Sequence, residues 1–250
     1  MLSRPVVGLR ARKLQAEVYG LDGGHLVPEV LAALRAGGAA SLVREVGPGV
    51  FSMPLLTADF CLKLRRELHF IEHLAASEKR SLCRPNSMNH DGLVLHEVGL
   101  EGLIDDLLEQ VAVPLGKALF PQVGGDSLDH HHGFTVEYSP DRDRDLALHI
   151  DDAEMTINVC LGDSFEGGAL RVLGPRCLAH ADSPVEPNEA GEVDHLVGHA
   201  LLHAGALRHL ALPVTQGHRI NLILWCRSSR FRKAQGIPAR CGPFCRLHAA

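Results

Sequence analysis

The stretch from residue 134 to residue 173, FTVEYSPDRDRDLALHIDDAEMTINVCLGDSFEGGALRVL, decides the fold class. It contains short apolar segments separated by Asp, Pro and Gly, and the same pattern continues to residue 226. Such segments, with no helix-length segment between them, are typical of a sandwich or a closed double sheet and not of a βαβ fold. The segments are residues 133–139, 145–150, 154–161, 169–173, 193–203 and 219–226. We therefore predict an α+β protein in which N-terminal helices pack on a double sheet.

A His-x-Asp pair lies inside this stretch. His149 and Asp151 are two residues apart on an extended segment, so their side chains point to the same side. An imidazole beside a carboxylate supplies two of the three ligands of a 2-His-1-carboxylate facial triad, which binds Fe(II) and leaves coordination positions open. The pair alone is weak evidence because the chain contains 16 histidines. The alternative is a surface histidine beside a loop aspartate.

Two histidines are candidates for the third ligand. His203 and His209 both lie well downstream of His149, in the region where the third ligand is expected. Ten residues separate His209 from Arg219, which is enough for a strand end, a turn containing Pro213 and entry into the next strand. The connection from His203 to Arg219 is sixteen residues long, which is longer than such a turn between neighbouring strands requires. We therefore choose His209 and interpret His203 as a neighbour in the preceding strand that can hydrogen-bond to a metal ligand.

Arg219 begins an apolar strand in which polar and apolar residues alternate. Arg219 and Asn221 should face the inside of the double sheet, while Ile220 and Leu222 should pack outward against helices. A buried arginine needs a carboxylate partner, and none lies nearby in sequence. A bound dicarboxylate can supply one through a bidentate contact. A salt bridge to an acidic residue of a loop is the alternative.

Together these residues resemble a known family. His149, Asp151, His209 and Arg219 have the spacing of the iron- and 2-oxoglutarate-dependent dioxygenases, in the prolyl/lysyl hydroxylase branch. Residues 134–173 look like the catalytic domain of the lysyl hydroxylases, and the resemblance runs from about Arg84 to the C-terminus. It implies a double-stranded β-helix (jelly-roll or cupin-like) barrel with packed N-terminal helices. It also implies that His149, Asp151 and His209 hold Fe(II) at one mouth of the barrel and that Arg219 pairs with 2-oxoglutarate. The basic residue that follows the second metal histidine by about ten positions in this branch also favours His209.

The resemblance assigns further residues and a reaction. Tyr138 and Asn158 match a tyrosine eleven residues before the first metal histidine and an asparagine nine residues after it, and both contact the co-substrate in lysyl hydroxylases. Asn221, beside Arg219, joins them as a candidate contact. The implied reaction consumes O2 and 2-oxoglutarate, releases succinate and CO2, and hydroxylates a C–H bond of a protein side chain or small molecule. Ascorbate is the expected reductant, and the primary substrate is unidentified.

The chain divides into three predicted regions. Residues 1–132 form a helical N-terminal region packing on the barrel, residues 133–228 the catalytic core, and residues 229–250 a C-terminal extension. We predict helices over residues 25–36, from Thr57 onwards, and over about 100–120 with a break at Pro114. Residues 39–56 are predicted as a short strand and loop, residues 93–95 as a strand, and residues 174–192 as a mobile polar loop. The Arg65-Arg66-Glu67 cluster and the His130-His131-His132 run are interpreted as solvated surface.

Composition excludes several classes of protein. A net charge of −5 gives no reason to expect nucleic-acid binding, and no apolar run reaches the length of a membrane span. The segment 1–20 lacks an apolar signal sequence, and its basic residues are interpreted as a solvated lead-in, with a transit peptide as the alternative. Seven cysteines, an odd number, favour reduced thiols in an intracellular and cytoplasmic protein. Cys160 and Cys226 are predicted core residues. Cys241 and Cys245 form a C-x3-C with no matching pair at zinc-finger spacing.

Two other functions remain open from the sequence. One is a zinc site formed by His195, His199 and His203, whose spacing would stack them on a helix, although Val193, Val197 and Gly198 disfavour a helix there. No Glu stands at H-E-x-x-H spacing. The other is a catalytically silent binding module, against which the complete set of ligands argues. Metal analysis distinguishes the zinc site from an iron enzyme, because zinc rather than iron would co-purify. Turnover of 2-oxoglutarate distinguishes an enzyme from the catalytically silent binding module.

Overall fold

The computed structural model describes residues 12–235 together with Cys245 and Leu247. Within that range the helices are α1 (Pro28–Arg35), α2 (Ala58–Ser77), α3 (Glu101–Leu107), α4 (Val113–Leu119) and α5 (Ser229–Gln235). The strands are β1 (Arg44–Gly47), β2 (Val50–Pro54), β3 (His130–Tyr138), β4 (Leu146–His149), β5 (Met155–Gly162), β6 (Phe165–Gly167), β7 (Leu170–Pro175), β8 (Ala190–Val193), β9 (His199–Ala204), β10 (Leu207–Ala211), β11 (Val214–Gly217) and β12 (Arg219–Arg227). No helix in this range has both the length and the apolar character that a bilayer span requires. Arg4 and Arg10 of the predicted basic lead-in lie outside the described residues.

The strands form antiparallel sheets. The large sheet has the order β1-β2-β9-β5-β12-β3, the small sheet has the order β4-β10-β7-β8, and β6 pairs with β11. From β3 through β4 to β5, and again from β9 through β10 to β12, the chain leaves the large sheet and returns to it. No α-helix interrupts the chain between β3 and β12. The predicted α+β class, with helices beside antiparallel sheets, is confirmed.

Helix α2 packs on the outer face of the large sheet. It begins where predicted, because the Thr57 side chain accepts a hydrogen bond of 3.3 Å from the Phe60 N–H. Phe60, Leu64 and Leu68 recur at helical spacing and are buried. They belong to the same apolar core as three alternate residues of β12, namely Ile220, Leu222 and Leu224. The predicted outward face of β12 is therefore confirmed.

The long helix predicted over residues 100–120 is interrupted, as expected from Pro114. Helix α3 passes into a wider π turn at Leu108–Ala112, and α4 then starts with Pro114 in its first turn. Proline lacks an N–H and its ring clashes with the carbonyl of the preceding turn, so a regular helix cannot continue through it. The widened turn accommodates this break without separating α3 from α4.

Two predictions in the N-terminal region are wrong in part. Residues 39–56 contain a β1–β2 hairpin instead of one strand and a loop, and β2 joins the large sheet through antiparallel pairing with β9. Residues 93–95 form only an isolated bridge between Val94 and Phe134, followed by a 3-10 turn at Leu95–Val98. In both cases a distant strand decides the outcome, and short apolar runs do not reveal such pairing.

Two segments predicted as loop or solvated surface contain strand residues and ion pairs. Residues 174–192 end in β8 and are held by a fully buried ion pair, in which Arg176 Nη1 lies 2.7 Å from Glu189 Oε1. The His130-His131-His132 run begins β3, and only His130 is exposed. His131 Nε2 lies 2.7 Å from Asp105 Oδ1 of α3. The predicted solvated run is therefore corrected, whereas residues 174–192 are largely a loop, with strand residues at both ends and a buried ion pair.

The Arg65-Arg66-Glu67 cluster is solvated only at Arg66. Arg65 forms an ion pair of 2.7 Å with Asp163, and its side chain is only 15% exposed. Glu67 is fully buried and accepts hydrogen bonds from the N–H groups of Leu14 and Gln15 and from the Tyr19 hydroxyl. Its carboxylate therefore fastens the first described residues to α2. The sequence interpretation of Arg65 and Glu67 as solvated is wrong because these partners lie far away in sequence.

We expect Glu67→Ala to lower the free energy of unfolding by about 2–4 kcal/mol, because three hydrogen bonds to a buried charged acceptor are lost. Arg66→Ala on the exposed side of the same helix is the matched control and should change stability by less than about 0.5 kcal/mol. Urea denaturation of both variants measures the difference. Equal stabilities would contradict the anchoring role of Glu67.

Candidate metal centre

Strand pairing brings His149, Asp151 and His209 together. His149 ends β4 and stands directly opposite His209 of β10 in the antiparallel ladder, and Asp151 follows two residues after His149. Asp151 Oδ1 lies 3.5 Å from His149 Nε2 and 3.7 Å from His209 Nε2. All three ligand atoms lie within 4.8 Å of one another, so the group can hold a metal ion.

Hydrogen bonds to the backbone orient both imidazoles. His149 Nδ1 lies 2.8 Å from the Ala147 carbonyl oxygen, and His209 Nδ1 lies 2.9 Å from that of Leu207. A carbonyl oxygen only accepts, so each Nδ1 carries the proton and each Nε2 presents its lone pair toward Asp151. Both histidines are thus set in the tautomer that a metal requires.

Asp151 is oriented in the same way. The Thr156 hydroxyl of β5 donates a hydrogen bond of 2.5 Å to Asp151 Oδ2, so Oδ1 is the oxygen turned toward the two histidines. Burial alone would raise the pKa of Asp151, but His209 and the other nearby histidines hold it well below its usual range. Burial lowers the pKa of His209 to about 3. At neutral pH the pair is therefore a carboxylate and a neutral imidazole, which are the forms that bind metal.

His203 of β9 borders this group. It is fully buried, and its Nε2 lies 3.9 Å from Asp151 Oδ2, the oxygen that already accepts from Thr156. Its Nδ1 lies 2.9 Å from the Ala204 carbonyl oxygen, and its Nε2 has no hydrogen-bond partner. His203 is thus a neighbour of the group, and its Nε2 lies on the Oδ2 side of Asp151 rather than on the Oδ1 side.

A cavity of about 470 Å³, part of it open to solvent, extends from the group between the sheets. The predicted site residues His149, Asp151, His209, Arg219, Tyr138, Asn158 and Asn221 all line it. Ile223 and Trp225 line it as well, so the predicted inward face of β12 is confirmed. The site is therefore one continuous space with a cluster of ligand atoms in one part and both polar and apolar side chains around the rest.

Arg219 is buried in the wall of this cavity. Its Nη1 donates to the Gly168 carbonyl oxygen, its guanidinium carbon lies 4.5 Å from the centre of the Tyr138 ring, and its Nε has no hydrogen-bond partner. Burial lowers its pKa. No acidic side chain within residues 12–235 forms an ion pair with it, so the predicted alternative of a salt bridge to a loop acid is not observed there.

A glycine makes room for Arg219. Gly168 has a φ of 70°, and a Cβ at this position would lie 2.8 Å from Arg219 Nη1. Any other residue would be strained in this conformation and would push the guanidinium away. The Gly167-Gly168 pair was predictable as a sharp turn, but its role beside Arg219 was not.

The amides of Asn158 and Asn221 lie side by side. Asn221 Nδ2 donates to Asn158 Oδ1 over 2.5 Å and lies 3.1 Å from His195 Nδ1. Asn221 Oδ1 and His195 Nε2 are buried without partners. On the other wall, Asn89 Nδ2 donates to the Tyr138 hydroxyl over 3.3 Å. Polar atoms buried without partners are costly, and in a cavity wall they indicate a polar ligand.

The structure adds residues that the sequence did not predict. Asn89, Thr156 and His195 line the cavity. His195 and His203 do not lie on a helix, since His195 precedes β9 and His203 lies within it, and His199 is absent from the cavity wall. The His195-His199-His203 zinc site is therefore wrong. The stretch RPNSMN at residues 84–89, which is rich in polar residues, was the sequence feature that could have indicated a role for Asn89.

Comparison with known proteins identifies the family. A profile described as OGFOD2-like domain matches residues 10–125. The 2-oxoglutarate and iron-dependent oxygenase domain-containing protein 2 of Xenopus tropicalis is 34% identical over 97% of this chain and 68% of its own length. The chain belongs to the family of 2-oxoglutarate and iron-dependent oxygenase domain-containing proteins. The Arabidopsis thaliana member of this family called ICU11 is 41% identical over 89% of the chain.

The chain does not span every member of the family in full. It covers 57% of the length of ICU11. Among solved structures, a prolyl hydroxylase from Trichoplax adhaerens, in complex with a hypoxia inducible factor peptide fragment, has a TM-score of 0.57. Its identity is 14%, over 84% of this chain and 97% of that one, so the likeness concerns the fold.

The residues present fit the metal and co-substrate that the family name implies. The donor set is two imidazoles and one carboxylate, which suits Fe(II). The unpaired Arg219 Nε–H lies in the wall of the same cavity and provides a donor for the carboxylate of a bound organic acid.

We expect His209→Ala to abolish stoichiometric Fe(II) binding, whereas His203→Ala should keep near-normal stoichiometry. The reason is that His209 Nε2 faces Asp151 Oδ1 together with His149, while His203 lies beside the other oxygen. Anaerobic Fe(II) titration with metal analysis measures both. The reverse result would assign the ligand to His203.

Proposed function

We propose that the chain is an Fe(II)- and 2-oxoglutarate-dependent dioxygenase in which His149, Asp151 and His209 hold the metal. The observation that carries this proposal is a buried guanidinium, Arg219, which lines the same cavity as the three ligands and has no carboxylate partner among the described residues. A site that holds both a metal-ligand group and an uncompensated cation suits an acid that chelates the metal at one end and carries a second carboxylate at the other.

The charges of the assembled site balance. Fe(II) with Asp151 leaves one positive charge and Arg219 adds another, and the two carboxylates of 2-oxoglutarate neutralise both. A neutral assembly is favourable because uncompensated charges are expensive in a water-poor cavity. Arg219 is 2% exposed, so its charge gains little from solvent. A bidentate contact between its guanidinium and the distal carboxylate of 2-oxoglutarate provides the anionic partner that the described residues do not offer.

Three further residues are proposed to contact 2-oxoglutarate. Tyr138 lies under the Arg219 guanidinium, and Asn158 and Asn221 form an amide pair in the cavity wall. The Tyr138 hydroxyl is held by Asn89, so it is fixed before a ligand arrives. These contacts orient the co-substrate and reduce the entropy lost on binding.

The fold supports the same proposal. The strands pass between the large and small sheets in the order expected of a double-stranded β-helix, and we propose that the sheets form such a jelly-roll barrel. Within the proposed regions, residues 1–132 contribute more than helices, because β2 pairs with β9 of the catalytic core at 133–228. Residues 229–250 remain the proposed C-terminal extension.

When bound, Fe(II) and 2-oxoglutarate supply the oxidising power: O2 is consumed, succinate and CO2 are released, and a C–H bond of the substrate is hydroxylated. The chain orients the ligands through its backbone carbonyls and Thr156 and surrounds the reaction with apolar walls such as Ile223 and Val136. We propose a protein side chain or a small molecule as the primary substrate and ascorbate as the reductant. An intracellular, cytoplasmic location stays a prediction.

We expect the reconstituted protein to convert 2-oxoglutarate to succinate slowly without a primary substrate. Anaerobic addition of 2-oxoglutarate to the Fe(II) protein should produce a weak visible absorption band. Succinate quantification and absorption spectroscopy test both expectations, and Asp151→Ala is the control for free iron. Binding of 2-oxoglutarate without succinate formation would favour the catalytically silent binding module instead.

Arg219→Ala should raise the apparent KM for 2-oxoglutarate by tens- to thousands-fold, which corresponds to ~2–5 kcal/mol for a buried charged contact. Iron stoichiometry should stay near that of the wild type, because Arg219 forms no contact with the ligand group. Arg219→Lys should recover part of the affinity, since it restores the charge without the planar fork. An unchanged KM in Arg219→Ala would place the carboxylate elsewhere in the cavity.

A further inference from the structure

A second cluster of metal-binding side chains lies away from the cavity. Cys177 precedes the 3-10 turn Leu178–His180 that follows β7, and His180 is the last residue of that turn. Cys245 lies beside them although it is far from them in sequence. Cys177 Sγ is 3.3 Å and Cys245 Sγ is 3.4 Å from His180 Nδ1. The cluster shares no residue with the His149 group.

The spacing of these atoms suits a tetrahedral metal. With Zn–S near 2.3 Å and Zn–N near 2.0 Å, the edges of a tetrahedron are about 3.5 Å between S and N and about 3.8 Å between two S atoms. The two observed S–N distances are close to this edge, and all three ligand atoms lie within 4.8 Å of one another. A small inward movement of the three side chains is therefore enough to close the site around an ion.

The surroundings favour thiolates. Cys177 and Cys245 are 3% and 2% exposed, which is typical of structural sites and unlike reactive surface thiols. Two buried guanidinium groups, those of Arg176 and Arg208, pack nearby, and together they have one close carboxylate, Glu189. Two thiolates would neutralise the charge of Zn²⁺. The occupied site would then add no positive charge beside the guanidinium groups of Arg176 and Arg208.

We propose that Cys177, His180 and Cys245 bind a structural zinc ion that fastens Cys245 to the turn between β7 and β8. The two-sulfur, one-imidazole donor set is soft and selects zinc over iron. Cys177 and His180 form the C-x2-H pair that the sequence interpretation of Cys241 and Cys245 lacked. Water completes the tetrahedral coordination as the fourth ligand.

Cobalt substitution of the full chain tests this site directly. Cobalt(II) bound by thiolates gives a strong near-ultraviolet charge-transfer band, which the thiolate-free His149 group cannot produce. We expect about one zinc per chain on purification from zinc-supplemented cells, and the thiolate band when cobalt replaces it. His209→Ala should keep both, so failure of the oxygenase proposal leaves this result unaffected. Wild-type protein with neither bound zinc nor a thiolate band overturns the proposal, whatever the variants do.

Variants assign the ligands. Cys177→Ser, Cys245→Ser and His180→Ala should each lose the zinc and the band, while His180→Cys should retain both because a thiolate can replace the imidazole. Cys83→Ser is the matched control and should behave as the wild type. Circular dichroism checks that each variant is folded. Zinc retained in folded Cys177→Ser and Cys245→Ser would overturn the assignment, as would a Cys177–Cys245 disulfide found by mass spectrometry of the protein isolated with its thiols blocked.

Discussion

The antiparallel pairing of β4 with β10 is the contact on which the candidate metal centre depends. It sets His149 opposite His209, which is distant in sequence, and the turn after β4 then brings Asp151 between them. The ladder is irregular on both sides of His209, where the register shifts in its pairing with β4 and with β7. Such bulges re-aim side chains beside functional sites. A slip by one residue would turn His209 away from Asp151 and remove the group.

The second constraint is the unbalanced charge of Arg219. Most buried cations of the described chain have acidic partners, as Arg176 has in Glu189, but Arg219 rests on a carbonyl oxygen and an aromatic ring. Neither contact neutralises a full charge. Burying this charge costs free energy. Gly168 leaves space for the guanidinium, and the side of Arg219 that faces the cavity is accessible to a ligand under the proposed function. Under the proposed function, the charge that attracts an organic dianion is therefore already in place before the ligand binds.

Local patterns predicted the part of the site that lies within single strands. His-x-Asp at a strand end and the alternation of Arg219 with apolar residues depend only on neighbouring residues, and both side-chain directions agree with the structure. The sequence did not predict β10 itself, the burial of Glu67 or the buried ion pair within residues 174–192. Each of these depends on partners far away in sequence: β4 and β7, the backbone at Leu14, and the Arg176–Glu189 pair.

The same reason explains why the two cysteine-containing segments were not connected. A long stretch of chain, which includes β8 to β12, separates Cys177-x2-His180 from Cys245, so their proximity is a property of the tertiary structure. The structure also corrected the three-histidine zinc hypothesis, since His195 lies in the irregular segment between β8 and β9 and His203 lies on β9. The spacing of residues in sequence describes a single helix or strand. A set of metal ligands comes from several such elements, so spacing alone does not predict it.

The passage of the chain between two sheets has a consequence for how the protein acquires its shape. Neighbouring strands such as β3 and β12 or β4 and β10 are separated by dozens of residues, so few of the sheet contacts can form early. Loops that long must close before pairing stabilises them, and proteins rich in such contacts fold slowly. The proposed metal ligands on β4 and β10 then meet only near the end of folding. An ion added to the unfolded chain would meet isolated histidines and no preformed binding site. Packing of the apolar core must therefore bring the strands together before an ion can bind.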